Sequence, residues 1–174
     1  MAAVSEKLSA FGIEIEVPDG WSGKIYHGVG GAVIMQVANL EIDPSDGDLA
    51  LISAENMDSG GVIGVLVDYG PTDAGEGRYD NDLRLPLDPN DFWPSKLIQW
   101  VANQAGVQQF FTANGRACML YMSASTQPSL LTAVGALSDV LETLAVGPIP
   151  DGFTYQQTRE QQRRTSEQET SSGT

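Results

Sequence analysis

The chain has 174 residues, 41% of them apolar, and a formal net charge of −14 at pH 7, which suits one domain able to bury a proper core without staples. Its single cysteine, Cys118, excludes an internal disulfide framework and a thiolate cage within one subunit, and its single histidine, His27, excludes a metal site with two imidazoles within one subunit. No apolar run of signal-peptide type follows Met1 to Lys7, and no segment reaches the ~18 apolar residues of a membrane span, so a soluble cytoplasmic protein is expected.

The first predicted element is a half-exposed strand over Phe11 to Val17, where Ile13, Ile15 and Val17 alternate with Glu14 and Glu16. Pro18-Asp19-Gly20 turns it, Lys24 to His27 forms a second strand, and Gly30-Gly31 marks the turn into a third, Ala32 to Ala38, apolar on both faces. Asp43 to Asp48 is a loop, Leu49 to Met57 has room for one or two helical turns, and Val62 to Tyr69 is an apolar strand. Gly64 within that strand signals a bulge or a close approach.

Residues 70–94 carry four prolines, three glycines and many carboxylates without a sustained period, which reads as a long loop of the kind that is usually functional or mobile. Leu97, Ile98 and Trp100 mark a weak turn. Asn114-Gly115 then predicts a two-residue type I′ hairpin turn, pairing Phe111 with Cys118 on one face and Phe110 with Met119 on the other. Both faces of that hairpin are apolar, so it belongs inside a sheet covered on both sides. Ser129 caps a helix with the stripe Leu130, Val134, Leu137, Leu141 and Leu144, ended by Gly147-Pro148. The chain thus divides into a body, 1–150, and a polar tail, 151–174, expected to be disordered because its composition cannot bury apolar area.

Charge is unevenly spread. From Glu41 to Asp91 there are 13 acidic residues against Arg78 and Arg84, a local balance of −11. Such a surface repels nucleic acid and anionic lipid heads and attracts cations or basic partners, although solubility alone is a common reason for it.

The strand ending in Val17-Pro18-Asp19-Gly20-Trp21, the Phe110-Phe111-Thr112 and Gly115-Arg116 hairpin, Leu120-Tyr121 and the closing helix through Leu137 to Leu144 together resemble a small uncharacterised bacterial family of actinobacterial type. More distantly, the order of elements over residues 10–147 resembles the Mog1/PsbP-like fold. That resemblance implies an antiparallel sheet between helices, used mostly by binding and assembly proteins such as a nuclear-transport GTPase partner, a photosystem subunit and chaperones for secreted effectors. Its motifs are structural and carry no functional residue over.

The catalytic inventory is thin. His27 near a strand end reads as a surface or packing histidine, Cys118 as an inert buried thiol, and Gly28-Val29-Gly30-Gly31 lacks the Lys-Ser/Thr of a phosphate loop. Asp43, Asp46 and Asp48, and Asp80 and Asp82, have spacings that suit a hard cation, yet none fits the twelve-residue calcium loop, and loop aspartates more often cap turns. Trp21, Trp93 and Trp100 read as core or rim packing, with Phe92-Trp93 an alternative exposed anchor.

The reading is an α+β domain with a mostly antiparallel sheet of about five to seven strands and a C-terminal amphipathic helix. It acts as a non-catalytic interaction or assembly module that binds a basic protein partner through Asp80, Asp82, Asp88, Asp91, Phe92 and Trp93, without cofactor, catalytic residue or metal. A hydrolase using loop carboxylates and a small-ligand carrier are the alternatives. The sequence leaves the oligomeric state open.

Overall fold

The structure is a computed structural model that describes residues 5–155. It is α+β, with two antiparallel sheets where the sequence led to one. Strands β1 (Ser5–Ala10), β2 (Ile13–Pro18) and β8 (Ala145–Val146) form a three-stranded sheet in the order β1-β2-β8. Strands β3 (Ser22–His27), β4 (Val33–Ala38), β5 (Val62–Gly70), β6 (Gln104–Ala113) and β7 (Arg116–Ser125) form a five-stranded sheet in the order β3-β4-β5-β7-β6. Among the described residues there are two α-helices, α1 (Leu51–Glu55) and α2 (Leu130–Leu141).

The alternation in β2 does what its pattern dictates: Ile13, Ile15 and Val17 are buried, and they face the inner side of the larger sheet. Strand β1 has no such pattern, since Ser5, Glu6, Lys7 and Ser9 are exposed; it exists because its backbone pairs with β2 in full register from Ser5↔Pro18 to Ala10↔Ile13. The β6–β7 hairpin turns at Asn114-Gly115, with φ of 47° and 80°, and pairs Phe111 with Cys118 and Phe110 with Met119. Its two faces enter different cores. Phe111, Cys118, Leu120 and Met122 join the cluster between the two sheets, which α2 closes with Val134, Leu137 and Leu141. Met119 and Tyr121 join Ile34, Ile63, Val65 and Val67 on the outer face, under Ala50 and Ala54 beside and within α1.

Gly64 is a close approach, since a Cβ there would lie 3.2 Å from Leu137 Cδ1. The bulge in β5 falls later, between Asp68 and Gly70, and leaves Tyr69 without a cross-strand partner and 44% exposed. Ser129 caps α2 by accepting from the Thr132 N–H at 3.2 Å. The helix stops at Leu141, before Gly147-Pro148, because Ala145 and Val146 are extended to pair with Glu14 and Ile13. Order continues past residue 150: Phe153 and Tyr155 pack on the main core. The remainder of the tail expected over 151–174, residues 156–174, lies outside the described residues.

Phe111→Ala and Leu137→Ala should each lower the unfolding free energy by about 2–5 kcal/mol in urea titrations, since both side chains are at most 1% exposed. A change near zero at either position would place that residue outside the core. Gly115→Val should cost about 1–2 kcal/mol, because a β-branched residue resists the positive φ of the turn.

Candidate functional site

The long acidic loop is laid along β6, one of the two edge strands of the larger sheet. Thr112 N–H donates to the Asn81 carbonyl at 3.0 Å, and Trp93 and Gly106 exchange both backbone hydrogen bonds at 3.0 Å. Between these points Gln109 imitates a peptide unit: its Oε1 accepts from Arg84 N–H at 3.0 Å and its Nε2 donates to the Arg84 carbonyl at 3.3 Å. Leu97 packs where a side chain on Gly106 would stand. The loop therefore satisfies groups that an open edge would offer to another chain, and short 3₁₀ turns at Gly77–Tyr79, Pro89–Asp91 and Pro94–Lys96 give it local order.

This course separates the predicted site residues into two groups. Asp80 and Asp82 lie by the Thr112 end of β6, while Asp88, Asp91, Phe92 and Trp93 lie by the Gly106 end, about 20 Å away along the strand. Asp88 accepts from Asn90 N–H at 2.9 Å, and the Asp91 carbonyl accepts from Lys96 Nζ at 2.9 Å. Asp82 shares a cleft of about 470 Å³ with Arg78 and Arg84, and the Arg78 guanidinium sits 4.3 Å from the Phe110 ring centroid. Phe92 is not an exposed anchor. It is 5% exposed and belongs to the main core, because the Trp93–Gly106 bridge fixes the backbone so that Phe92 points inward and Trp93 outward. Trp93 is 57% exposed, and the neighbouring segment adds Ile98 at 43% and Trp100 at 70%. The predicted set leaves out Ile98 and Trp100; three large apolar residues without a helical or strand period were the available signal.

The carboxylates suggested for a hard cation turn to separate partners. Asp43 Oδ1 accepts from both the backbone N–H and the hydroxyl of Ser45, which holds its carboxyl below the usual range. Asp46 caps α1 from outside the helix, accepting from Ile52, Ser53 and Gly47 N–H groups. Burial alone would raise its pKa, but these donors outweigh that and lower it. Asp48 accepts from the Tyr26 hydroxyl at 2.6 Å, and burial followed by this bond pushes the phenol pKa up. Among the described residues no group of three His, Cys, Asp or Glu is arranged to hold a metal ion.

His27 and Cys118 belong to a buried knot built around Arg116. The Arg116 and Asp68 side chains are fully buried and paired at 2.9 Å. Arg116 Nη2 also donates at 2.8 Å to the carbonyls of Phe11 and Pro148, and Asp68 accepts from Tyr155 OH at 2.7 Å and from Gly70 N–H at 3.0 Å. His27 Nε2 lies 3.0 Å from the Gly31 carbonyl and 3.2 Å from that of Tyr155, while its ring packs against Phe11 and Phe153. Burial pushes the Cys118 thiol pKa up, with the Asp68 charge adding to it, so the sulfur is a poor nucleophile.

Two larger cavities lie elsewhere among the described residues. One of about 610 Å³ is polar and includes Glu41, Asp43 and Asp58. The other, about 520 Å³, has Ile34, Val67 and Met119 as an apolar floor, with Tyr69 and Tyr155 beside it and Asp48 at its border. No described helix is long and apolar enough to cross a membrane. Compared with family models, curated proteins and solved structures, the chain matches none.

Arg116→Met should destabilise by about 3–5 kcal/mol, because it strands a buried carboxylate. The double variant with Asp68→Leu should lose clearly less than the two singles added together, as measured by denaturant titration. For Asp46, the depressed folded pKa means that its contribution is present above the unfolded carboxylate value of about 4 and is lost as pH falls through the folded value. Asp46→Ala should therefore cost about 1 kcal/mol at neutral pH, with the difference from wild type shrinking in acid.

Proposed function

We propose that this chain is a non-catalytic interaction or assembly module of the bacterial cytoplasm that binds a basic protein partner along the covered edge of β6. The observation that carries this reading is the exposure of Trp93, Ile98 and Trp100 within eight residues, on a loop fixed to the sheet by backbone bonds. Ordered aromatic side chains of this kind are the usual energetic centres of protein interfaces. Asp88 adjoins this group on the chain, and Asp80 and Asp82 extend the acidic rim toward the far end of the strand. A partner with basic groups spaced along an elongated surface fits that layout. The Mog1/PsbP-like arrangement, with α2 as the closing helix on one face, belongs to the same proposal and supports a binding or assembly role by analogy alone.

A hydrolase using carboxylates of the long loop would draw on Asp82 in its cleft with Arg78 and Arg84, and among the described residues no second carboxylate lines that cleft to divide the acid and base roles.

The test is surface plasmon resonance against the purified partner recovered from the source cell. Trp93→Ala and Trp100→Ala should each raise the dissociation rate by roughly tenfold. Joint replacement of Asp80, Asp82, Asp88 and Asp91 by asparagine should slow association at low salt and flatten its ionic-strength dependence; the Asp88→Asn change keeps an acceptor for the Asn90 N–H. Unchanged kinetics in all three variants would overturn the reading.

A further inference from the structure

We infer that the apolar cleft on the outer face of the larger sheet is a binding site for a small organic monocation, a primary ammonium group on an apolar body, with Asp48 as the counter-ion. This is a different place from the Trp93 segment and does not depend on a protein partner. Among the described residues, the outer face is covered by the five residues of α1 and by loops, and the space left over Ile34, Val67 and Met119 is about 520 Å³. That is within the ~300–1,000 Å³ of small-ligand sites, which combine an apolar lining with few polar groups. An apolar body of about six to ten carbons suits such a volume.

The head group is specified by charge. Among the described residues Asp48 is the one carboxylate or ammonium bordering the cleft, and it stands on a chain of net charge −14, which favours cations and disfavours anions. Its position is fixed without a ligand. Gln36, fully buried on β4, donates from Nε2 to the carbonyls of Gly47 at 3.1 Å and Asp48 at 2.8 Å, and Tyr26 OH binds Oδ1 at 2.6 Å. Preorganisation of this kind reduces what ligand binding must order. The walls add aromatic faces suited to a cation: Tyr69, turned outward by the β5 bulge, and Tyr155, whose ring packs on Gly70 while its hydroxyl is held by Asp68.

The experiment is isothermal titration calorimetry of the full chain with phenethylammonium and octylammonium, each against the alcohol of the same carbon skeleton. Saturable binding of the amines is expected, roughly tenfold or more tighter than the alcohols. Asp48→Asn, which retains an acceptor for Tyr26, should remove that preference without abolishing alcohol binding. Ala32→Phe, which fills the cleft, should abolish both, with the fold checked by circular dichroism, and Trp93→Ala should change neither. Absence of saturable amine binding up to about 10 mM, an amine preference that survives Asp48→Asn, or binding lost in Trp93→Ala would overturn the inference.

Discussion

The Arg116–Asp68 pair ties the larger sheet to the β1–β2 turn and to the segment after β8. Arg116 begins β7 and Asp68 lies at the bulge of β5, so the pair itself is a cross-strand contact of the larger sheet. Arg116 Nη2 reaches out of that sheet, to Phe11 at the β1–β2 turn and Pro148 just after β8, while the buried Nε has no hydrogen-bond partner among the described residues. A buried pair is weak evidence for net stability, because desolvation offsets most of the attraction. Its role here is geometric: two carbonyls, a phenol and a backbone N–H reach the pair only when both sheets and the segment after β8 are in place. The aromatic stack of Phe11, His27, Phe153 and Tyr155 then closes over it, with neighbouring ring centroids 4.9–6.1 Å apart.

The acidic loop has a structural task before any functional one. Covering β6 requires backbone groups in the loop to face the strand, which turns alternate side chains to solvent and leaves some of them apolar. The same constraint that removes an open sheet edge thus exposes Trp93, and a protein with few aromatic residues concentrates two exposed tryptophans on one segment. Interface and edge protection are compatible, since the exposed surface is made of side chains while the backbone bonds are already used.

Much of the fold was legible in local pattern. Ile13, Ile15 and Val17 announce one buried face, and Asn114-Gly115 fixes the hairpin register because positive φ at both positions permits little else. What was not legible is decided by long-range pairing. Strand β1 shows no alternation because its side chains are mostly exposed, and nothing local says that Ala145 and Val146 leave the helical stripe to join β2. The division into two sheets follows from those pairings. In the candidate site, Phe92 and Trp93 are adjacent aromatics in a loop without period, so the sequence cannot say which one turns inward. Gly106 was the available clue, a lone glycine in an apolar strand, and its meaning depends on Leu97 and Trp93 arriving from elsewhere.

The order in which the knot is made differs from the order in which its central pair is made. During synthesis, β3 to β7 can leave the ribosome and pair while residues 148–155 are still being added. Arg116 and Asp68 then meet in a nascent sheet whose Pro148 carbonyl and Tyr155 hydroxyl have not yet arrived, so water must serve in their place. The Pro148 carbonyl and the Tyr155 hydroxyl take the place of that water, so the knot is complete only once the segment 148–155 has docked.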